Sequence, residues 1–365
     1  MVSKRSNLEF SSTRLADFFQ QLPTRRLVLQ AIYNSGSISR AEIARVTGLT
    51  KVTVSDVVAQ MMAFELLTES APAANSGPGK PPVLLQLKRD HLRTVAVDLS
   101  VKNSLVIGSV DLYGQPFSRS QRELPSGSRD ELVQELIGAI QDEIDASPLL
   151  VLGIGIGVPG VVDSQGTVID GAALDLHDFN LSSVIADHFG VEVRVANDAN
   201  VAVQADSLFG GAAGSTLLIR IGQGVGGGLM LDGKPYLGSS WASGELGHVV
   251  VVEAGHPCAC GKRGCLEAEI ARILSQPSPA SNEIGRLLAS ALAPVVSVLN
   301  LAEIVLATPD SIDDEQLSIS LFDEIKKTTL PEISDVLTVR RTKLGGDVVL
   351  LGAAAMALSA VLGVA

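Results

Sequence analysis

The chain has 365 residues, more than one compact domain usually holds, so two or three domains are expected. Its composition, 46% hydrophobic and 19% charged, excludes a disordered chain and can fill a large core. The net charge of −12 is wrong for a nucleic-acid binder, but residues 1–93 hold 12 Lys and Arg against 7 Asp and Glu, and the remainder holds 16 against 33. A basic N-terminal part therefore precedes an acidic body.

The basic part predicts three short helices, at Thr24–Gly36, Ser39–Val46 and Lys51–Leu67. Thr24 and Thr50 are predicted N-caps, Ser39 and Glu42 have the spacing of a capping box, and Gly48 follows the second helix as its stop. Two short helices joined by a glycine-containing turn are typical of a helix-turn-helix. A plain helical bundle is the alternative.

The segment Ser70–Pro82 is rich in Pro, Gly and Ala, and Val83–Leu87 has the pattern of a short strand. A loop in this position would be a wing, so we predict a winged helix-turn-helix that binds double-stranded DNA; an ordinary linker is the alternative. Side chains that begin the third helix would meet base edges, and others would meet phosphates from the second helix or lie at the tip of the wing. The predicted DNA contacts are Arg40, Arg45, Lys51, Thr53, Ser55 and Lys80.

From Thr94 onward, β-branched apolar runs alternate with helical stretches such as Arg129–Ala146. This alternation predicts an α/β body of mixed sheets and covering helices, in two lobes with a cleft between them. The glycine-rich loop Gly222–Gly228 falls between two strand-like runs, where backbone N–H groups can approach a phosphate or a sugar, although a simple hairpin has the same pattern. We predict two domains, at residues 1–90 and 91–365.

Two segments bear on where the protein works. The N-terminal stretch has no apolar region of the kind found in secretory signals. Val348–Ala365 has 18 uncharged residues, near the lower length of a membrane span, but we expect a buried strand at Val348–Leu351, a turn at Gly352 and an Ala-rich helix. A cytoplasmic protein with no membrane partner is predicted.

The densest chemistry is a cluster of metal-ligand residue types. His248 is followed by Cys258, Cys260 and Cys265, and these are all three cysteines of the chain. One imidazole and three thiolates complete a tetrahedral shell, which favours one structural Zn²⁺ per chain without an open position. Unrelated free cysteines are the alternative, and His256 lies close enough in sequence to replace His248.

Four segments resemble the ROK family, which is named for repressors, open reading frames and sugar kinases. They are Gly155–Asp163, Asn197–Asn200, Ile221–His248 and Cys258–Glu267. The resemblance covers nearly the whole chain, including the helix-turn-helix of the repressor branch, and is strongest to sugar-responsive repressors of the xylose, N-acetylglucosamine and glucose regulons. It implies a winged helix-turn-helix followed by a two-lobed, actin-like or hexokinase-like domain.

The resemblance also implies a sugar site in the cleft. Positions that contact sugar hydroxyls in the family correspond to Asn197, Asp198, Glu245, His248 and Glu267. His248 would bind zinc through one ring nitrogen and face the sugar with the other. A simpler interpretation, compatible with the first, is that Asp198 and Asn200 cap a helix that begins at Val201.

Departures from the family separate a regulator from a kinase. Where the kinases hold ATP phosphates, this chain has Asp98–Lys102 with bulky side chains and Gln223 between two glycines, and Leu306–Pro309 replaces the turn that faces adenine. We therefore predict no enzyme activity, with Asp198 a vestigial base. The predicted protein is a regulator whose operator binding depends on a sugar or sugar phosphate, acting as a homodimer or dimer of dimers through the hinge segment Lys88–Thr94. An active sugar kinase with an added DNA-binding domain and a metal-stabilised interaction protein are the alternatives.

Overall fold

A computed structural model describes residues 23–70, 82–88, 91–125, 127–212 and 214–363. The N-terminal part, called the head here, contains three helices and a three-stranded antiparallel sheet in the order β1-β3-β2. Its elements are α1 (Pro23–Ser35), β1 (Ile38–Ser39), α2 (Arg40–Thr47), α3 (Lys51–Ala63), β2 (Leu67–Ser70) and β3 (Leu84–Leu87). Three helices followed by a β-hairpin form the predicted winged helix-turn-helix.

Local hydrogen bonds define the ends of α2 and α3. The Ser39 hydroxyl accepts from the Glu42 backbone N–H at 3.2 Å, and Thr50 accepts in the same way from Thr53 at 3.1 Å. Gly48 adopts φ +71° and ends α2 as predicted. The predicted extension of α3 to Leu67 is wrong, because Glu65 takes a left-handed φ of 57° that turns the chain into β2.

The first lobe is built on a five-stranded sheet in the order β6-β5-β4-β7-β11, in which β4, β7 and β11 are parallel. The chain between β7 and β11 forms a small antiparallel sheet, β8-β9-β10. The elements are β4 (Leu92–Asp98), β5 (Ser104–Val110), β6 (Ser120–Glu123), α4 (Arg129–Asp145), β7 (Leu150–Val158), β8 (Val161–Val162), β9 (Thr167–Gly171), β10 (Leu176–Asn180), α5 (Leu181–Phe189) and β11 (Glu192–Asn197).

The second lobe repeats this plan, with the order β14-β13-β12-β15-β16. In each five-stranded sheet, the first three strands in the chain are antiparallel, and the last two run parallel to the first. The elements are α6 (Asp198–Ala205), β12 (Thr216–Ile221), β13 (Val225–Leu231), β14 (Lys234–Pro235), α7 (Leu266–Leu274), α8 (Ser281–Leu299), β15 (Glu303–Ala307), α9 (Asp314–Thr328), α10 (Pro331–Ser334) and β16 (Thr338–Arg341).

The last helix, α11 (Val348–Leu362), replaces the strand and turn predicted there. A short apolar run in a sequence does not distinguish a buried strand from a buried helix. This run is apolar on every face of the helix, and 12 of its 15 residues are buried. Gly352 lies inside the helix and not in a turn. A Cβ atom at Gly352 would lie 2.0 Å from the Val201 carbonyl oxygen, so this glycine allows close contact between α11 and α6.

Two helical segments are long and apolar enough to cross a bilayer by length and composition, namely α8 and Gly345–Leu362. Core helices of water-soluble proteins meet the same criterion, so the observation is weak evidence for a membrane span. The two windows are 44% and 67% buried inside the protein, which accounts for much of their apolar character.

The head packs on the end of α11. Val28 and Leu29 of α1 belong to the same apolar core cluster as Val361 and Leu362 of α11. The Gln30 side-chain amide also donates to the Gly363 carbonyl oxygen at 2.9 Å. The helix that packs against α6 therefore also completes the core of the head. The predicted division at residue 90 stays a prediction, since residues 89 and 90 lie outside the described ranges.

Candidate binding cleft and metal centre

The donor atoms of His248, Cys258, Cys260 and Cys265 all lie within 4.8 Å of one another. Cys258 Sγ lies 3.6 Å from His248 Nδ1, and Cys260 Sγ lies 3.7 Å from Cys265 Sγ. Sulfur donors held at ~2.3 Å in a tetrahedron are about 3.8 Å apart, so these spacings fit a zinc shell. Spacing alone left His256 open as a ligand; in the structure its Nδ1 lies 2.9 Å from Glu269 Oε2 and outside the four-donor cluster.

Local backbone shape brings the four donors together. His248 ends a short 3-10 turn, Leu246–His248, and Cys265 is the N-cap residue of α7. Gly261 and Gly264 have φ of +87° and +73°, which fold the intervening loop back on itself. Burial, with the neighbouring thiols, raises the pKa of Cys265 to about 11, so a bound cation is needed to hold this thiol as a thiolate.

The five predicted sugar contacts lie near one another, and this group is called the carboxylate side here: Asn197, Asp198, Glu245, His248 and Glu267. Asn197 ends β11, and its Oδ1 accepts from the backbone N–H groups of Ala199 at 2.9 Å and Asn200 at 3.1 Å. The predicted cap at Asp198 and Asn200 is therefore wrong: the helix begins at Asp198, one position after Asn197, and Asn197 is the cap. The Asn197 amide nitrogen donates to the Gly160 carbonyl at 2.9 Å, which joins α6 to the loop after β7.

The Asp198 side chain is largely buried, with 13% of it exposed. Burial raises its pKa, and the Arg220 guanidinium, which donates to Asp198 Oδ2 at 2.7 Å, opposes that rise. Asp198 is thus held in an ion pair with Arg220, and its carboxylate oxygens are hydrogen-bond acceptors.

Glu267 and Glu245 belong to the second lobe. Glu267 Oε2 accepts from the Val225 N–H at 3.0 Å and fixes the start of β13. Glu245 Oε2 lies 3.9 Å from His248 Nε2, while the other ring nitrogen of His248 faces the thiols. The predicted double role of His248 therefore has the required geometry.

The carboxylates are close enough to affect one another. Burial raises the pKa of Glu245, and the negative charges of Asp198, Glu267 and Asp170 raise it further against the opposing effect of His248. Asp170, on β9, was not singled out in the sequence, where it is one of many surface-type acidic residues. The carboxylate side is consequently an electronegative, partly desolvated surface suited to hydroxyl donors.

A neighbouring group, called the loop side here, consists of the loop Asp98–Lys102 and the turn Gly222–Gly224. Asp98 Oδ1 accepts from the backbone N–H of Ser100 at 2.7 Å and from its hydroxyl at 2.5 Å. The turn is closed by a 2.9 Å bond from the Gly222 N–H to the Gly224 carbonyl. Arg220 Nη2 donates to Ser100 Oγ at 2.7 Å, so one guanidinium contacts both the first loop and Asp198. Sequence reasoning missed Arg220, although a charge inside the apolar strand TLLIRI is a usable signal.

In the head, the predicted DNA contacts on α2 and α3 are on the surface or partly exposed. Arg40 pairs with Glu69 of β2 at 2.7 Å, and Arg45 pairs with Glu42 within α2. Lys51 and Ser55 are exposed, and the Thr53 hydroxyl lies 2.8 Å from that of Thr50. Lys80 lies outside the described residues.

Val52, beside Lys51, was not predicted as a contact. Its side chain is 71% exposed at the start of α3, and apolar side chains at such positions contact thymine methyl groups. An exposed valine in the first turn of a candidate recognition helix was the available signal.

Comparisons with known proteins agree with this architecture. A profile of the ROK family matches residues 94–275. The xylose repressor of Bacillus subtilis is 30% identical over 256 residues, 68% of this chain and 66% of that protein, and the DNA-binding transcriptional dual regulator NagC of Escherichia coli is 26% identical over 66% of this chain and 60% of its own length. The matches thus span slightly less than two thirds of these relatives.

Solved structures show the same fold. A ROK family transcriptional regulator described as a homologue of E. coli Mlc superposes with a TM-score of 0.75 at 22% identity, over 97% of this chain and 98% of that one. A ROK family glucokinase from Streptomyces griseus, solved with glucose and AMPPNP, gives a TM-score of 0.62 at 23% identity over 72% of this chain and 98% of its own. The regulator, unlike the kinase, matches the head as well as the lobes. The chain belongs to the ROK family.

Proposed function

We propose that the protein is a sugar-responsive, DNA-binding transcriptional regulator and not a sugar kinase. The observation that carries this proposal is a winged helix-turn-helix joined by α11 to a cleft with an open carboxylate side and a loop side bridged by Arg220. The relatives named xylose repressor and NagC support the same function.

The sugar would bind on the carboxylate side, through Asn197, Asp198, Glu245, His248 and Glu267. Carboxylates accept hydrogen bonds from sugar hydroxyls, and amide and imidazole groups fix the orientation of the ring. Asp198 would act only as an acceptor, because phosphoryl transfer also needs a bound nucleotide and its metal ion.

His248, Cys258, Cys260 and Cys265 would hold one Zn²⁺, which supplies structural cross-linking and no reaction chemistry. The shell uses His248 Nδ1 and leaves Nε2 toward Glu245. The metal centre would therefore orient two of the sugar contacts through a single loop.

In the head, Lys51, Thr53 and Ser55 would contact base edges, Arg40 and Arg45 would contact phosphates, and Lys80 would reach the duplex from the wing. A homodimer or dimer of dimers in the cytoplasm would present two such heads to half-sites about one helical turn, or a multiple of it, apart. Arg40 and Arg45 would exchange their carboxylate partners for phosphates on binding.

Sugar binding would reach the head through α6 and α11, in addition to the predicted hinge at Lys88–Thr94. Asp198 begins α6, Gly352 packs against Val201 of the same helix, and Val361 shares a core with α1. A shift of α6 on sugar binding is therefore directed along a rigid helix into the head.

The test is operator binding with and without sugar. A gel-shift titration of the wild-type protein, with an operator selected from random duplex DNA, should respond to one sugar by roughly 5–150-fold, a typical allosteric coupling. Release of DNA by sugar is the expected direction. Glu245→Ala should keep its DNA affinity and lose the sugar response, because Glu245 lies in the second lobe and not in the head.

Glu315→Ala, an exposed carboxylate on α9, is the matched control and should respond like the wild type. A wild-type protein that ignores every sugar and sugar phosphate, or that consumes ATP in the presence of a sugar, would contradict the proposed function.

A further inference from the structure

Arg220 is a cation that the second lobe extends into the first. Its side chain is 17% exposed, and its two terminal nitrogens donate to Asp198 Oδ2 and Ser100 Oγ, each at 2.7 Å. Ser100 is bonded in turn to Asp98. The guanidinium thus links the carboxylate side and the loop side of the cleft.

The guanidinium also occupies space beside the glycine turn. A Cβ atom built on Gly222 would lie 3.2 Å from Arg220 Nη1 and 3.3 Å from its Cζ. The group therefore lies between the two loops, where a phosphate entering the loop side would need room.

Three other backbone N–H groups near Arg220 already donate to acceptors within the chain. The N–H groups of Ala199 and Asn200, at the positive end of α6, donate to Asn197 Oδ1. The Val225 N–H, which follows the glycine turn, donates to Glu267. A phosphate would have to displace these internal acceptors.

The charges around Arg220 also disfavour the binding of a phosphate. Arg220 is already paired with Asp198 and lies near the buried carboxyl of Asp98. Glu245, Glu267 and Asp170 add negative charge to the carboxylate side. With Arg220 already paired, these carboxylates would repel a dianionic phosphate from the carboxylate side, whereas neutral hydroxyls find acceptors.

We propose that the effector is an uncharged, unphosphorylated sugar, and that Arg220 is the residue that excludes phosphorylated ligands, whether sugar phosphates or nucleotides. This inference rests on the proposed function, since it specifies the chemistry of the molecule that the regulator senses. Arg220 is then a specificity residue that acts through bulk and through its pairing with Asp198.

The test measures binding to the wild-type, metal-loaded protein by calorimetry and thermal shift. The panel contains free aldopentoses, aldohexoses and N-acetylhexosamines, the matching phosphate esters, inorganic phosphate and AMPPNP. A free sugar should bind, and its phosphate ester should bind at least tenfold more weakly. An ester that binds as tightly as its parent sugar, or more tightly, overturns the inference and leaves the proposed function standing; a panel with no binder at all overturns the proposed function itself.

The double variant Arg220→Ala, Asp198→Asn removes the ion pair without leaving a lone charge. The ratio of affinities, phosphate ester over free sugar, should rise at least tenfold above the wild-type ratio. Arg194→Ala, on β11, removes an arginine paired with Glu192 instead and should leave the ratio unchanged. An unchanged ratio in a folded double variant would contradict the role of Arg220, and if that variant does not fold, the wild-type panel decides the inference alone.

Discussion

The carboxylate side and the loop side of the cleft each combine residues of both lobes but satisfy their polar groups differently. On the carboxylate side, Glu245 is 42% exposed at the side chain and faces His248 at only 3.9 Å, a loose contact that leaves hydrogen-bonding capacity for a ligand. On the loop side, Asp98, Ser100 and Arg220 satisfy one another at 2.5 to 2.7 Å. A two-lobed cleft can thus keep one binding surface open while its own side chains close the other.

Loss of the metal should break the carboxylate side most severely. Cys260→Ser leaves three donors, and structural zinc sites supply on the order of 10 kcal/mol of folding free energy in small domains. We expect the variant to lose stoichiometric metal and show the largest fall in melting temperature of the substitutions considered. Elemental analysis and thermal denaturation measure both effects.

Lys262→Ala in the same loop is the matched control. It keeps all four donors and the backbone N–H of residue 262, so it should retain the metal. If the wild-type protein carries no stoichiometric metal after growth with zinc, the assignment of the centre is wrong.

Substitution of Arg220 should disrupt the hydrogen bonds of the loop side and lower the stability of the folded protein. Arg220→Met leaves Asp198 as a buried, unpaired carboxylate, which typically costs about 3–5 kcal/mol. Because burial holds the pKa of Asp198 above that of the unfolded chain, the folded state binds the proton more tightly, and loss of Arg220 raises this pKa further. The penalty is therefore largest at neutral pH and is lost as the pH falls through the raised pKa of Asp198, before the ordinary aspartate range is reached.

Urea denaturation at several pH values checks both the size and the sign of this effect. Arg194→Met, whose arginine is 43% exposed in its pair with Glu192, should cost no more than about 1 kcal/mol at any pH. Equal penalties at neutral and acidic pH in Arg220→Met would contradict the pairing.

A smaller loss of stability is expected from a substitution at the contact between α6 and α11. Gly352→Ala places a methyl group 2.0 Å from the Val201 carbonyl oxygen, and overpacking of this kind costs about 1–3 kcal/mol. Gly138→Ala, in the exposed face of α4 with nothing within 4 Å, should instead stabilise by roughly 0.5–1 kcal/mol. Denaturation midpoints compare the two, and a gain in stability from Gly352→Ala would show that the helices are not in close contact.

Features set by a few consecutive residues were predicted from the sequence. The caps at Ser39 and Thr50 depend on side chains three residues from their partners, and the metal cluster depends on spacing within one loop. Both the caps and the cluster depend on residues that are close together in the sequence, so the sequence alone is enough to predict them. His248 was predicted as the fourth donor from the sequence, but the exclusion of His256 needed the structure, because the His256 ring lies 2.9 Å from Glu269 of α7.

Features set by distant contacts were missed. Arg220 meets Ser100 across 120 positions of sequence, and nothing near either residue indicates the contact. The α11 segment was assigned partly to a strand, since an apolar run that is buried on all sides has no periodicity to distinguish helix from strand. The helix start was misplaced by three residues, at Val201 instead of Asp198, within a segment that offers three candidate cap residues.

The contact between α1 and α11 has a consequence for how the protein is made. Gln30 and Gly363 are separated by 333 positions, so the first helix of the head leaves the ribosome long before its packing partner exists. At roughly 5–20 residues per second, the delay is about 15 to 70 s. A nascent chain would therefore carry an incomplete head with exposed apolar side chains, and operator binding would begin only after translation has passed α11.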